Sequence, residues 1–314
     1  MAFELEDRWV WDFWIAKDRK TYHLFFLQAP RSLGNSELRH SNASVGHATS
    51  TDLKEWTEVG TALEPGFSGE WDDVAIWTGC VINHEKRWWM FYTGTSWEEN
   101  GLIQRIGAAV SDDLNIWVKH PSNPLLTAHP YWYEQLDEEA WFNEAWRDPW
   151  VYAIDDGFEM LLTARVNSGP AANRGVIGRA FSSDLNVWSA VPPLTAPGGF
   201  GQMEVPQRFE TELGEVLIFS CERGRLAPDR AAAADPRSDC YALWLDGSGV
   251  PYPASEAIAL AVPELYAVRA VQDPKGKWVV LGFEREDESG SFQGRISDPV
   301  PFDAVVPPPI RAGD

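Results

Sequence analysis

A twelve-residue segment that recurs three times constrains the fold of this chain more than any other feature. It spans 45–56, 106–117 and 177–188, and each copy leads a short strand into Ser-x-Asp-Leu before ending on a tryptophan. The three turns are Ser50-Thr51-Asp52-Leu53, Ser111-Asp112-Asp113-Leu114 and Ser182-Ser183-Asp184-Leu185, followed by Trp56, Trp117 and Trp188. Serine and aspartate favour turns by bonding their own backbone, and the tryptophan can pack back on the sheet. The copies lie 61 and 71 residues apart, a period suited to a propeller or array with one supersecondary unit per repeat.

Each copy follows a hydrophobic, often aromatic strand, at 22–27, 87–93 and 158–164, and similar strands recur at 215–220 and 277–283. A decayed fifth-unit copy reads Gly294-Arg295-Ile296-Ser297-Asp298-Pro299. The expected fold is therefore all-β: one five-bladed β-propeller domain over 1–314, with four-stranded antiparallel blades at 8–58, 72–118, 144–189, 201–252 and 262–304. A β-sandwich would leave the repeat unexplained. No amphipathic helix of useful length is expected, and the alanine-rich 231–234 reads as a loop. The connections 28–42 and 120–143 are longer than a propeller needs, and the second carries Tyr131, Trp132, Tyr133, Trp141 and Phe142. Such loops either carry function or pack over a blade edge.

The net charge of −21, from 47 acidic and 26 basic residues, disfavours nucleic acid and anionic membranes as partners. No run approaches the ~20 apolar residues of a membrane span. The start at Met1 followed by Glu4, Glu6 and Asp7 lacks the pattern of a signal peptide, so a cytoplasmic protein is expected. Cys80, Cys221 and Cys240 are too scattered for a disulfide framework and read as structural thiols. The six histidines form no His-Glu-x-x-His pair, and His47 lies within a repeat copy. There is no phosphate-cradling glycine loop and no Gly-x-Ser-x-Gly elbow.

The innermost strand of each propeller blade lines the central channel, so polar residues on first strands are the candidates for chemistry. Three acids stand there in apolar, strand-like settings and are expected at equivalent blade positions: Asp12 in Trp11-Asp12-Phe13, Asp148 in Arg147-Asp148-Pro149 and Glu204 in Met203-Glu204-Val205. A carboxylate among such neighbours is costly to desolvate unless it is paired or used. Three together suit glycoside cleavage, in which one attacks the anomeric carbon and a second protonates the leaving oxygen. Arg147 is placed to hold Asp148 ionised, so that it binds sugar hydroxyls. Tryptophan, present 17 times, offers flat rings to a sugar's apolar face.

The segment from Val10 to Trp14 resembles the nucleophile segment of the levansucrase group, glycoside hydrolase family 68. Arg147-Asp148-Pro149 is similar to the tripeptide of that family and of the invertase and inulinase family, glycoside hydrolase family 32. Glu204-Val205-Pro206 resembles their Glu-x-Pro motif, and Trp77-Thr78-Gly79-Cys80 their Trp-Ser-Gly-Ser segment. All four stand in the family order along residues 8–300. The resemblance implies Asp12 as nucleophile, Asp148 as transition-state stabiliser and Glu204 as general acid/base. It also implies substrate contacts from Trp11, Trp77, Thr78 and Arg147, with Gln202 beside them. Thr78 replaces the usual serine, Gln202 stands where the levansucrase group has a second glutamate, and the 56 residues from Asp148 to Glu204 match the invertase spacing better. The proline-rich stretch near Pro307 leaves no room for the C-terminal β-sandwich of typical invertases, so a minimal propeller is expected.

The expected activity is retaining hydrolysis of β-fructofuranosides, sucrose or short fructo-oligosaccharides, with no cofactor and no metal required. Three alternatives stand beside it: transfer of the fructosyl unit to another sugar, an inverting arabinofuranosidase or xylosidase of the family 43 type, and a non-catalytic sugar-binding propeller.

Overall fold

The computed structural model describes residues 2–234, 238–247, 249–286 and 290–309. Residues 1, 235–237, 248, 287–289 and 310–314 of the expected spans lie outside the described residues. Five antiparallel four-stranded sheets follow one another along the chain. Blade 1 comprises β1 (Arg8–Asp18), β2 (Thr21–Pro30), β3 (Ser44–Ser50) and β4 (Thr57–Leu63). Blade 2 comprises β5 (Ala75–His84), β6 (Arg87–Thr95), β7 (Arg105–Ser111) and β8 (Val118–Lys119). Blade 3 comprises β9 (Trp146–Ile154), β10 (Gly157–Arg165), β11 (Gly175–Ser182) and β12 (Ser189–Val191).

A two-residue strand β13 (Thr195–Ala196) precedes blade 4, which comprises β14 (Glu204–Thr211), β15 (Gly214–Ser220), β16 (Cys240–Leu245) and β18 (Ile258–Ala259). The intervening β17 (Tyr252–Pro253) pairs in parallel with β13. Blade 5 comprises β19 (Leu265–Gln272), β20 (Trp278–Glu286), β21 (Phe292–Ile296) and β22 (Val300–Pro301), the last two both pairing with β20. The expected architecture therefore holds. The blade limits moved outward in blade 1, where β4 reaches Leu63, and in blade 4, where the fourth strand lies at Ile258–Ala259 rather than before 252.

Each blade packs both faces against neighbours, so the middle strands do not alternate. In β2 every residue from Tyr22 to Ala29 is buried, whereas the outermost β4 is largely exposed. This is why the sequence shows continuous apolar runs rather than a period of two. The outer strands of blades 2 and 3 have only two and three residues, short enough to limit edge pairing between molecules.

The repeat is a turn and a rivet. Ser182 Oγ accepts from the amides of Asp184 (3.2 Å) and Leu185 (2.9 Å), while Asp184 Oδ1 accepts from those of Asn186 (2.9 Å) and Val187 (3.0 Å). The same network surrounds Ser50 with Asp52 and Ser111 with Asp113. It holds Leu53, Leu114 and Leu185 in the left-handed region, at φ +66°, +67° and +66°, where leucine is otherwise disfavoured. The closing tryptophans reach the second strand of the preceding blade: Trp117 meets Phe25 edge-on at 5.6 Å and Trp188 meets Phe91 at 5.4 Å. The repeat glycine is needed where a Cβ on Gly107 would lie 2.4 Å from the Trp71 ring.

The ring is closed by the N-terminal segment. Phe3 exchanges backbone hydrogen bonds with Ile296 of β21, at 2.7 and 2.9 Å, and its ring packs on Phe26 and near Trp56. Trp56 thus meets the N-terminal segment that pairs with blade 5, whereas Trp117 and Trp188 pack directly on the second strand of the neighbouring blade.

The loop expected over 231–234 is instead part of a short helix, α1 (Pro228–Ala233). Proline at its first position and the alanine run favour this, and Arg230 ties it to the carbonyls of Gly198 and Ser255. A second short helix, α2 (Phe302–Val305), ends on Val306. All three cysteines are buried and unbridged. His47 faces His23 of β2, Nε2 to Nδ1 3.0 Å, with the rings stacked.

Replacing Asp184 with alanine is expected to lower stability by about 1 kcal/mol, since two turn amides lose their acceptor, and Trp188→Ala by about 3–5 kcal/mol through the lost inter-blade packing. Urea midpoints for the two variants check this ranking; equal shifts would mean that the tryptophan does not join the blades.

Candidate active site

The innermost strand of every blade contains one residue too many for its partner. The register skips between Trp11 and Phe13 in β1, Trp77 and Gly79 in β5, Arg147 and Trp150 in β9, Glu204 and Gln207 in β14, and Tyr266 and Arg269 in β19. A β-bulge bends the strand and re-aims a side chain. Five bulges at the same depth turn Asp12, Thr78 and Asp148 into the central channel, together with the residues that precede each bulge: Trp11, Trp77, Arg147, Glu204 and Tyr266. They line a funnel of about 590 Å³.

All eight residues singled out from the sequence reach this funnel: Trp11, Asp12, Trp77, Thr78, Arg147, Asp148, Gln202 and Glu204. Their blade positions are not all equivalent, however. Asp148, Val205 and Ala267 share a left-handed backbone, at φ +58°, +53° and +47°, so Glu204 corresponds to Arg147, one residue before Asp148. The sequence offers no mark of this offset, because a bulge shows only in the strand pairing.

Asp12 accepts from Thr78 Oγ1 at 2.5 Å. Its pKa is pushed up to about 7, first by burial and then by the charge of Asp148, with the Thr78 bond and the more distant Arg269 opposing. Asp148 Oδ2 accepts from Thr163 Oγ1 (2.7 Å) and from the Val205 amide (3.1 Å). Arg147 was expected to hold Asp148 ionised. Its Nε lies 3.6 Å from Asp148, but its Nη2 lies 2.6 Å from Glu204, and burial raises the Asp148 pKa in spite of the guanidinium. Arg147 therefore serves Glu204 first. Glu204 accepts from Arg147 on Oε1 and from the Tyr266 hydroxyl on Oε2. Its side chain is still 18% exposed to the funnel, so the ion pair does not seal it. Gln202 accepts from Arg147 at 3.2 Å, and Gln104 takes the other guanidinium nitrogen at 3.0 Å.

Several residues of the site were not found from sequence. Arg269 lies fully buried beneath the acids, donating to the carbonyls of Phe13 (3.3 Å) and Pro206 (2.7 Å). Burial lowers its pKa to about 10, which leaves it charged at neutral pH. An arginine alone inside the apolar strand Leu265–Gln272 was the available signal. Tyr266, whose ionisation is pushed far up by burial and by Glu204, gave none. The 28–42 connection supplies Arg39 and His40: the His40 carbonyl accepts from Trp77 Nε1 at 2.8 Å, and its ring stands edge-on to Trp11 and Trp77. The 120–143 connection divides. Phe142 lines the funnel, Tyr133 is core, and Trp141 lies under the guanidinium of Arg165 at 3.7 Å.

A family model described as Glycosyl hydrolases family 32 N-terminal domain matches residues 14–294. The fructan 6-exohydrolase of Beta vulgaris is 28% identical over 202 residues, covering 62% of this chain and 31% of that protein. The sucrose-6-phosphate hydrolase of Bacillus subtilis is 27% identical over 208 residues, covering 64% and 38%. This chain thus spans about a third of the length of these relatives. Among solved structures, fructan 1-exohydrolase IIa of Cichorium intybus superposes with a TM-score of 0.67 at 20% identity, over 95% of this chain and 56% of that one, a likeness of fold.

Because the folded state raises the Asp12 pKa, it binds more protons than the unfolded chain between about pH 4 and 7, and stability falls as pH rises through that window. Asp12→Asn is therefore expected to be more stable than the parent at pH 7.5 by on the order of 2 kcal/mol, with the gap closing toward pH 4. Thermal melts across that range test it, and a gap independent of pH would refute the assignment.

Proposed function

The chain belongs to glycosyl hydrolase family 32, and from that membership and the geometry of the funnel we propose that it hydrolyses β-fructofuranosides, sucrose or short fructo-oligosaccharides, with retention. The observation that carries this reading is the convergence of Asp12, Asp148 and Glu204 on one funnel, with a guanidinium beneath and another beside them. The alternatives of an inverting arabinoside or xyloside enzyme and of a non-catalytic propeller have no comparable support, since all three carboxylates are present in a family 32 chain.

In the proposed reaction an oxygen of ionised Asp12 attacks the anomeric carbon of the fructosyl unit. The bond to the leaving-group oxygen breaks, and that oxygen takes the proton of Glu204, which leaves Glu204 as carboxylate and the sugar as an ester of Asp12. A water then gives its proton to Glu204 while its oxygen attacks the same carbon, releasing fructose and regenerating Asp12. Asp148, buried and fixed by Thr163 and the Val205 amide, accepts hydrogen bonds from ring hydroxyls as positive charge develops. Arg147 and Tyr266 orient Glu204 throughout. Trp11 and Trp77 flank the sugar. The excess of acids around the reacting carbon favours the oxocarbenium-like transition state over the neutral ground state.

Fructose release from sucrose is expected to fall by about 10²–10⁴-fold in Glu204→Ala and below detection in Asp12→Ala, as measured beside inulin, levan and an aryl arabinofuranoside. Arabinose release with inversion, or no turnover of any substrate by the parent, would defeat the reading.

Since Asp12 attacks only when ionised, kcat/KM is expected to drop as pH falls through about 7. Thr78→Val removes a hydrogen bond to the ionised form and is expected to move that limb to higher pH. A limb that stays put in the variant would exclude Asp12 as its origin.

A further inference from the structure

The funnel wall carries four arginines, and none is free among the described residues. Arg147 belongs to Glu204. Arg39 donates to the Ser36 carbonyl and the Glu37 carboxylate, at 2.9 and 3.1 Å, with its guanidinium 4.1 Å from the Phe292 ring. Arg285 divides itself between Asp239 (2.6 Å) and Glu222 (2.9 Å). Arg225 has its Nε 3.9 Å from the same Glu222 and its guanidinium over Phe142 at 4.3 Å. Glu222 is thus the shared anchor of the two arginines on the blade 4 and blade 5 side of the mouth.

At the mouth Arg39, Arg225 and Arg285 face Glu37, Glu222 and Glu286 and, behind Arg285, Asp239, so carboxylates outnumber guanidiniums there whatever the protonation of Asp12 and Glu204. His40 does not change the balance, because its packed surroundings and Arg39 lower its pKa to about 4, leaving it neutral at pH 7. A phosphate entering the funnel finds Arg147, Arg39 and Arg285 already bonded to carboxylates and Arg225 beside Glu222, within a mouth of its own sign. It must displace a carboxylate or remain unpaired, and such unmatched charge is how a site rejects a ligand. A neutral sugar hydroxyl meets no such barrier, since it carries no charge and can donate to the carboxylates that a phosphate must displace.

We propose that the funnel is a charge filter that admits uncharged saccharides and rejects phosphorylated ones, and that Glu222 sets this choice by holding Arg225 and Arg285. The proposal rests on the β-fructosidase reading and deepens it, because the family also contains a sucrose-6-phosphate hydrolase among the relatives of this chain.

The test compares kcat/KM for sucrose and sucrose 6-phosphate in the parent and in Glu222→Gln, at low and high salt. The parent is expected to prefer sucrose by about tenfold or more, and the preference to shrink as salt screens the wall. Glu222→Gln, which removes one negative charge, takes the carboxylate from Arg225 and leaves Arg285 with Asp239 alone, is expected to narrow the preference by about tenfold through faster turnover of the phosphorylated substrate. The salt series on the parent decides the matter even if the variant folds poorly. Equal turnover of both substrates, or preference for the phosphate, overturns the filter while leaving the β-fructosidase reading intact. Failure to cleave sucrose at all overturns that reading, and the filter with it.

Discussion

One surplus residue in the innermost strand of each blade is the constraint on which the site depends. A regular strand would alternate its side chains between the two faces of the blade, and both faces are occupied by neighbouring blades. The bulge creates a third direction, inward along the channel. At Asp148 and Ala267 this requires a left-handed backbone on residues with a Cβ, a strain of about 1–3 kcal/mol each. The surroundings hold it: the Asp148 amide donates to Thr93 Oγ1 at 3.0 Å and the Ala267 amide to Ser220 Oγ at 3.1 Å. The second strand of the preceding blade thus braces the bulge, Thr93 of blade 2 at Asp148 of blade 3 and Ser220 of blade 4 at Ala267 of blade 5, so that neighbouring blades together set the inward-facing residues.

Once three acids are aimed at one point, their mutual repulsion must be managed. Burial alone would neutralise them by raising every pKa. Two buried guanidiniums counter this from different directions, Arg269 from below and Arg147 from the side, and each is itself held by carbonyl or amide oxygens of neighbouring blades. The outcome is uneven. Among the described residues Asp12 has a threonine hydroxyl as its direct partner, while Glu204 has a guanidinium and a phenol. Glu204 is thus held in orientation from two neighbouring blades, whereas Asp12 keeps one oxygen free to meet a ligand.

The fold was legible because its cause is local and repeated. The Ser-x-Asp-Leu turn satisfies its own amides within five residues, so it leaves the same letters wherever it occurs. The three acids were legible because carboxylates in apolar strands are rare. What escaped notice depends on contacts between residues far apart in the chain. The Arg147 to Glu204 pair joins two blades, Tyr266 meets Glu204 from a third, and Glu222 gathers Arg285 from across the mouth. The mistaken loop at 231–234 has another cause: a helix of six residues is too short to show a period, and only proline followed by alanines hinted at it.

The bond between Phe3 and Ile296 joins residues that almost the whole described chain separates. A contact of such long range closes a large loop, so it is expected to form late in folding. Phe3 packs on Phe26 and near Trp56, and Gly294 of the partner sheet lies close against Trp9. Opening this seam would therefore uncover aromatic rings on both of the blades it joins, which makes the junction of blades 1 and 5 the place where a thermally opened ring exposes its core.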